Sequence, residues 1–274
     1  MVPDREEDMK ACILLIEGTN CEDESVKAFN GVGIEAEKVH LKQLTKDCAS
    51  FRHKDLADYD ILFLPGGWSA GDYIRAGAIF AARMKAKLAN ELEEFISCEK
   101  PIIGVCNGFQ ILVESGLLPG FDGISEHPEA VLAINSGSRF QCRPTYLRHE
   151  NQCQITRAIP EARIMQVPIA HAEGRLTFGE NNERSLERLI KNKQIVLRYC
   201  NEDGSDADGV FPVNPNGSLH DIAGICNPKG NVLGMMPHPE RVISPLQQTD
   251  WTRKDYETGD GRILFKSIKK LLDD

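Results

Sequence analysis

Long apolar runs are missing from this chain: no stretch approaches the ~18 consecutive apolar residues that a membrane-spanning helix needs. The opening MVPDREEDMK is acidic and polar where a secretory leader is basic and then apolar. The sequence therefore predicts a cytoplasmic protein with a flexible, polar N-terminus over residues 1–10. An excess of positive charge is also missing, since 41 Asp and Glu outnumber 32 Lys and Arg and leave a formal charge of −9. Non-specific nucleic-acid binding rests on a Lys/Arg surplus, so neither nucleic acid nor an anionic membrane surface is an expected partner. No C-x-x-C pair and no His/Cys cluster at zinc spacing occurs, and the nine cysteines are an odd number in 274 residues. They read as free thiols, with no metal site expected. Repeats and low-complexity segments are absent, and no G-x-x-x-x-G-K-[ST] or G-x-G-x-x-G loop offers a nucleotide site.

What is there is an ordinary globular composition, 41% hydrophobic and 27% charged, enough to bury a substantial core. We expect one domain over residues 1–274. ACILLIEG, DILFLPGG and PIIGV are short, continuous apolar runs of the kind that form strands buried on both faces of a parallel sheet. Helical patterns follow them. The clearest is AIFAARMKAKLANELEEFIS, whose Met84, Leu88, Leu92, Phe95 and Ile96 form one apolar stripe, with Pro101 beyond its end. The alternation predicts an α/β fold with a doubly wound, mostly parallel sheet flanked by helices, and sites at the carboxyl ends of its strands. From about residue 135 the texture becomes β-rich, with SRFQCRPTYLRHE, ARIMQVPIAHAEG and KQIVLRYC. DIAGICNPKGNVLGMMPHPE reads as a hairpin turning on Asn-Pro-Lys-Gly, GRILFKSIKKLL as a last amphipathic helix, and residues 201–218 as a surface loop.

The stretch GVCNG, at a strand-to-helix junction, fits a nucleophile elbow: Cys106 on a sharp turn, with Gly104 and Gly108 relieving the clashes such a turn creates. A helix N-terminus beneath the sulfur favours thiolate over thiol. Most cysteines in apolar runs, such as Cys12 and Cys226, are small core residues, and the elbow is what sets Cys106 apart. A cysteine nucleophile needs a base, and the base an orienter. His238 in GMMPHPER stands after an apolar strand between two prolines; an extended path there would point Glu240 the same way as His238. Cys106, His238 and Glu240 thus form a candidate triad. An oxyanion would be held by the backbone N–H of Asn107, the residue after the nucleophile, and by that of Gly67 in LPGGW. His171 and His149 are the histidines able to approach from the β-rich half.

An early Gly-Gly loop, G-x-C-x-G-x-Q and a late H-P-E together resemble the class I, triad-type glutamine amidotransferases. EGTNCEDE, PGGWSAGDYIRAGAI, GVCNGFQIL, NSGSRFQCR, PIAHAEGR, NPNGS and NPKGNVLGMMPHPER, in this order, are similar to one branch of them: the glutaminase subunits of phosphoribosylformylglycinamidine synthase. The resemblance runs from about residue 12 to TGDGRILFKSI. It implies a flavodoxin-like fold and hydrolysis of glutamine through a glutamyl thioester on Cys106, with His238 as base and then acid, and Glu240 as its orienter. It also implies substrate positioning by Gln110 and recognition of the glutamine α-groups by Ser138, Arg139 and Phe140, with Arg139 the expected contact. The chain departs from the family at Trp68, where Phe is common, and at Ala172, where Gly is expected. The family implies no cofactor on this chain. ATP and magnesium belong to a partner synthetase, which receives the ammonia and, with a small accessory subunit, makes formylglycinamidine ribonucleotide. The alternatives are a glutaminase serving another acceptor and a non-hydrolytic redox or chaperone protein sharing the elbow cysteine.

Overall fold

The computed structural model describes residues 9–274. Residues 1–8 of the expected flexible segment lie outside the described residues, while Lys10 already belongs to a strand. The elements run β1 Lys10–Leu15, α1 Glu22–Asn30, β2 Glu35–His40, α2 Leu41–Leu44, β3 Ile61–Leu64, α3 Ala78–Ser97, β4 Ile102–Val105 and α4 Asn107–Glu114 in the first part. They continue with β5 Val131–Ile134, β6 Gln141–His149, β7 Ile164–His171, β8 Glu173–Thr177, α5 Asn182–Lys191, β9 Ile195–Cys200, β10 Ile222–Cys226, β11 Val232–Met235 and α6 Arg262–Asp273. Nine strands make one sheet in the order β2-β1-β3-β4-β11-β10-β9-β6-β7; β5 and β8 pair apart from it.

The sheet changes character in the middle. From β2 to β11 every neighbour is parallel, and from β11 to β7 every neighbour is antiparallel. The apolar runs explain the parallel half: β3, β4 and β11 are buried at every position, as strands covered on both faces must be. Successive side chains serve opposite layers. Phe63 meets Phe29 of α1 at 5.3 Å between ring centroids, and Phe265 of α6 stacks edge-on against Phe29 at 5.1 Å. Its neighbour Leu64 backs Gly108 of α4 on the other face. The stripe of α3 packs as expected, with Met84, Leu88, Leu92 and Phe95 buried.

The predicted hairpin is β10–β11, closed by Gly230 N–H donating to Asn227 C=O at 2.9 Å. Its second strand lies parallel to β4, with Gly234 opposite Gly104. Gly234 carries no side chain because Phe109 of α4 occupies the space: a Cβ there would come within 2.1 Å of the ring. This insertion brings the end of β11 beside the end of β4. The surface-loop expectation for 201–218 holds only for its first part, because Asn214, Asn216 and Ser218 are buried and hydrogen-bonded. Asn216 donates to the Gly174 carbonyl and Asn214 to Asp221, so this loop clasps β8. Among the described residues no helix is long and apolar enough to cross a membrane.

Candidate active site

The strand order reverses between β1 and β3, since β1 pairs with β2 on its other side. A crevice outside the carboxyl ends of such strands is where α/β sheets place ligands. A cavity of about 170 Å³ lies there, lined by Asn20 and Cys21 after β1, Gly67, Trp68, Asp72 and Ala76 after β3, Cys106 and Gln110 at α4, Ala170 to Glu173 at the end of β7, and His238 and Arg241 after β11. Its volume falls below the ~300–1,000 Å³ of drug-sized pockets and suits an amino acid.

Cys106 stands at φ +53°, ψ −107°, between the end of β4 and the first turn of α4. A non-glycine residue rarely adopts this backbone conformation, which costs roughly 1–3 kcal/mol and persists where surrounding structure enforces it. The enforcement is visible: the Cys106 N–H donates to Met235 C=O at 2.8 Å, extending the β4–β11 pairing past the turn. Gly104 and Gly108 let the turn close. A Cβ on Gly108 would lie 1.9 Å from the Leu64 carbonyl oxygen, and one on Gly104 would lie 2.5 Å from the Gly108 oxygen. Gly108→Ala drives a methyl into backbone that cannot rotate away. We expect it to destabilise the protein by about 3 kcal/mol, the upper end of ordinary overpacking costs. Thermal unfolding checks this; a midpoint within ~2 °C of the parent would show that α4 can shift at little cost.

His238 Nδ1 lies 2.6 Å from Glu240 Oε1, and both residues are 1% exposed. The backbone route differs from the extended path expected of Pro-His-Pro-Glu. Pro239–Arg241 is a turn of 3₁₀ helix, and Glu240 reaches the ring from inside that turn. The His238 N–H donates to Pro168 C=O of β7 at 2.8 Å, which fixes the imidazole from the β-rich half. Gly66 is the gap through which ring and nucleophile approach: a Cβ there would sit 2.7 Å from His238 Cε1 and 3.4 Å from Cys106 Cβ. Burial alone would push the imidazole towards neutrality; the Glu240 carboxylate, with Cys106 and Cys21 beside the ring, outweighs it and holds His238 well above its ordinary range. Nδ1–H is therefore committed to Glu240, and Nε2 faces the thiols without a hydrogen-bond partner among the described residues.

Among the described residues the two expected oxyanion donors are free. Asn107 opens α4, and its N–H has no protein acceptor among the described residues. The bridge between Gly67 and Thr19 is made by flanking amides, Trp68 N–H to Gly18 C=O at 2.9 Å and Asn20 N–H to Gly66 C=O at 3.3 Å. This leaves the Gly67 N–H without an acceptor among the described residues, at a φ of +144° that suits glycine. The Asn107 side chain ties the two donor segments together, accepting from Ser69 N–H at 3.2 Å and donating to Asp72 at 3.3 Å and to Gln110 Oε1 at 3.0 Å. Gln110 lines the cavity and donates to the Glu173 carbonyl at 2.6 Å.

Ser138, Arg139 and Phe140 are exposed and do not line the cavity. Phe140 reaches its rim by stacking on Trp68, with centroids 6.2 Å apart and planes 25° from parallel. Ala172 does not stand at a positive φ, so alanine fits there without strain. His171 lines the cavity, whereas His149 is buried away from it, bonded to Pro160 C=O and Thr156 Oγ1 at 3.0 Å each. Both amide hydrogens of Asn135 go to carbonyls, so its oxygen accepts from His171 Nδ1 at 3.2 Å. Burial, with His238 nearby, pulls His171 down to about 3, so it is neutral at ordinary pH.

Four ionisable lining residues were missed in the sequence: Cys21, Asp72, Glu173 and Arg241. Cys21 follows a strand, precedes a helix and so repeats the pattern of Cys106, which is the signal that would have found it. Asp72 and Glu173 carry no local signal. Burial and the neighbouring Glu173 raise the Asp72 carboxyl above its ordinary range, against hydrogen bonds from Gly77 N–H and Asn107.

Comparison with known proteins matches residues 8–271 to the CobB/CobQ-like glutamine amidotransferase domain. The chain is 50% identical to phosphoribosylformylglycinamidine synthase subunit PurQ of Archaeoglobus fulgidus, over 98% of this chain and 99% of that one. It is 43% identical to the PurQ subunit of Picrophilus torridus, over 94% and 97%. Among solved structures it resembles a chain of PurLQS from Thermotoga maritima, with a TM-score of 0.71 and 32% identity across 97% of this chain and 99% of the other.

Proposed function

Because the chain belongs to the PurQ family, within the CobB/CobQ-like glutamine amidotransferases, and is thereby a glutamine amidotransferase, we propose that Cys106, His238 and Glu240 are its catalytic triad. The observation that carries this reading is a cysteine at φ +53° beside a His–Glu pair at 2.6 Å, in a cavity with two unused backbone amides. The Cys106 sulfur attacks the side-chain carbonyl carbon of glutamine. The oxygen takes up charge against the N–H groups of Gly67 and Asn107, donors already in place before the reaction. The imidazolium of His238 gives its Nε2 proton to the leaving nitrogen, ammonia departs, and a glutamyl thioester remains on Cys106. Water, deprotonated by His238, then releases glutamate. Glu240 holds the ring and offsets its positive charge. Gln110 positions the substrate from α4, and the Ser138–Phe140 segment meets its α-groups from the rim.

In this reading the ammonia passes to the synthetase subunit of phosphoribosylformylglycinamidine synthase, assembled with a small accessory subunit. There it makes formylglycinamidine ribonucleotide in purine synthesis. ATP and magnesium act on the synthetase; this chain needs no cofactor of its own and works in the cytoplasm. The test is reconstitution with those two subunits. We expect glutamine-driven, ATP-dependent product with one glutamate released per product. An assembled complex that makes product from ammonium salts but never from glutamine would overturn it.

A further inference from the structure

The proposed reaction leaves two carboxylates of the cavity without a task. Asp72 and Glu173 line the same cavity as Cys106. Asp72 ends a run of three residues at positive φ, Ala70 at +51°, Gly71 at +71° and Asp72 itself at +50°. Two of the three are not glycine, and such backbone persists only where the surrounding structure enforces it. The Asp72 carboxylate accepts from Gly77 N–H at 3.4 Å and from Asn107 Nδ2 at 3.3 Å. Glu173 Oε2 accepts from Ala76 N–H at 3.2 Å, and the Glu173 carbonyl from Gln110 Nε2 at 2.6 Å. Through Asn107 and Gln110 both acids are tied to the first turn of α4, the helix that starts beside Cys106.

A third acceptor lies with them. His171 lines the cavity and is 3% exposed. Its Nδ1–H is committed to Asn135, so Nε2 carries a lone pair, and that buried nitrogen has no partner among the described residues. The ring lies over the backbone next to Glu173, since a Cβ on Gly174 would sit 2.5 Å from His171 Cε1 and 3.0 Å from Nε2. The nearby cations are already engaged. Arg241 is the one Lys or Arg that lines the cavity, and its Nη2 donates to Cys21 Sγ at 2.9 Å. Arg75 lies close enough to attract Glu173, but its Nε and Nη2 donate to Glu114 at 2.6 and 2.5 Å. Burial raises the Asp72 carboxyl and repulsion from Glu173 adds to this, a strain that a bound cation would relieve. An ammonium group, with three N–H donors and one positive charge, matches two carboxylates and an imidazole lone pair.

We propose that Asp72 and Glu173, with His171 Nε2 as the third acceptor, bind the α-ammonium group of glutamine and so select an amino-acid amide over an amide that lacks the amino group. The inference rests on the reading of Cys106 as the nucleophile, whose sulfur takes the far end of the same substrate. With the ammonium held inside, the α-carboxylate is left to the Ser138–Phe140 segment at the rim. Asp72 and Glu173 touch the substrate away from the reacting atoms, so their loss costs binding of glutamine and leaves the reactivity of the Cys106 sulfur intact.

The test uses the complex assembled with the synthetase and accessory subunits, in the presence of ATP. It compares glutamine with glutaramate, the same side-chain amide without the α-amino group, by kcat/KM for ammonia release. Alkylation of Cys106 by iodoacetamide, a reagent with no α-groups, reports whether the elbow is intact. We expect the parent to favour glutamine by ~100-fold or more, because a site built around a donor rejects the analogue that lacks it. Asp72→Asn and Glu173→Gln should each lower kcat/KM for glutamine by ~10–100-fold, the usual worth of a hydrogen bond to a charged group. Glutaramate turnover and the alkylation rate should not change, since the amide oxygens can still accept from Gly77, Asn107 and Ala76. Glu93→Gln, at an exposed acid of α3, should change none of the three readouts. Unchanged kcat/KM for glutamine in either cavity variant would overturn the proposal, as would a fall shared equally by glutaramate or by alkylation. Should neither variant assemble, the parent decides, because use of glutaramate as readily as glutamine contradicts the subsite. Glutamine turnover that survives Cys106→Ala would overturn the nucleophile instead, so the two failures are told apart.

Discussion

Cys106→Ala is expected to abolish glutamine-dependent synthesis while the assembled complex still makes product from added ammonium salts. Removing a covalent nucleophile costs ~10⁴–10⁶-fold, with the residue of activity owed to the remaining binding and oxyanion groups. The substitution is well suited to separate chemistry from folding. Alanine keeps a Cβ at φ +53°, so the strained turn is neither relieved nor worsened, and what is lost is the sulfur, with its contact to the Ala170 carbonyl at 3.6 Å and its place beside the His238 ring. Gel filtration of the complex and its ammonium-driven rate provide the internal control. Loss of both activities in a correctly assembled complex would contradict the role of Cys106 as a glutamine-specific nucleophile.

His238→Ala is expected to fail twice. Acylation slows by ~10²–10⁴-fold, the usual contribution of a positioned acid–base group. The same substitution strands Glu240, whose side chain is 0% exposed and whose Oε2 has no partner among the described residues even in the parent protein. Breaking a buried charge pair from one side typically costs ~3–5 kcal/mol. His238→Asn separates the two effects. Its amide can donate to Glu240 but cannot shuttle the proton, so it should melt higher than His238→Ala and be comparably inactive. Thermal unfolding and glutaminase rates on the two variants check this. Near-normal turnover in either would remove His238 from the mechanism, and equal melting temperatures would mean that Glu240 finds another partner.

What the sequence disclosed follows from which contacts are local. The buried strands β1, β3 and β4 were legible because a strand covered on both faces must be apolar at nearly every position, and the stripe of α3 because its period is written in five residues. The elbow was legible because strand, Gly-x-Cys-x-Gly and helix are contiguous. β2 was not, since EAEKVH is a polar edge strand with a single buried residue, Val39. Nor was the insertion of β11 against β4, which depends on Gly234 yielding space to Phe109 across more than a hundred residues. The pairing of His238 with Glu240 was legible through H-P-E although the backbone reasoning for it was wrong: Glu240 comes round a 3₁₀ turn. Cys21 and Arg241 escaped notice because their meeting at 2.9 Å joins opposite ends of the chain. Asp72 and Glu173 enter the cavity from two loops that only the folded sheet brings together.

The most direct measurement of Cys106 chemistry is active-site labelling with a glutamine-like diazoketone, on the isolated chain and on the assembled complex, with the modified peptide mapped by mass spectrometry. All nine cysteines are free thiols, so the reagent has eight competitors within the same molecule. The expected result is modification of Cys106 alone, prevented by free glutamine and absent from His238→Ala. Unprotected labelling spread over the exposed Cys98 and Cys142, or no glutamine-protected labelling even in the assembled complex with ATP, would contradict the assignment of Cys106 as the residue that takes the glutamyl group.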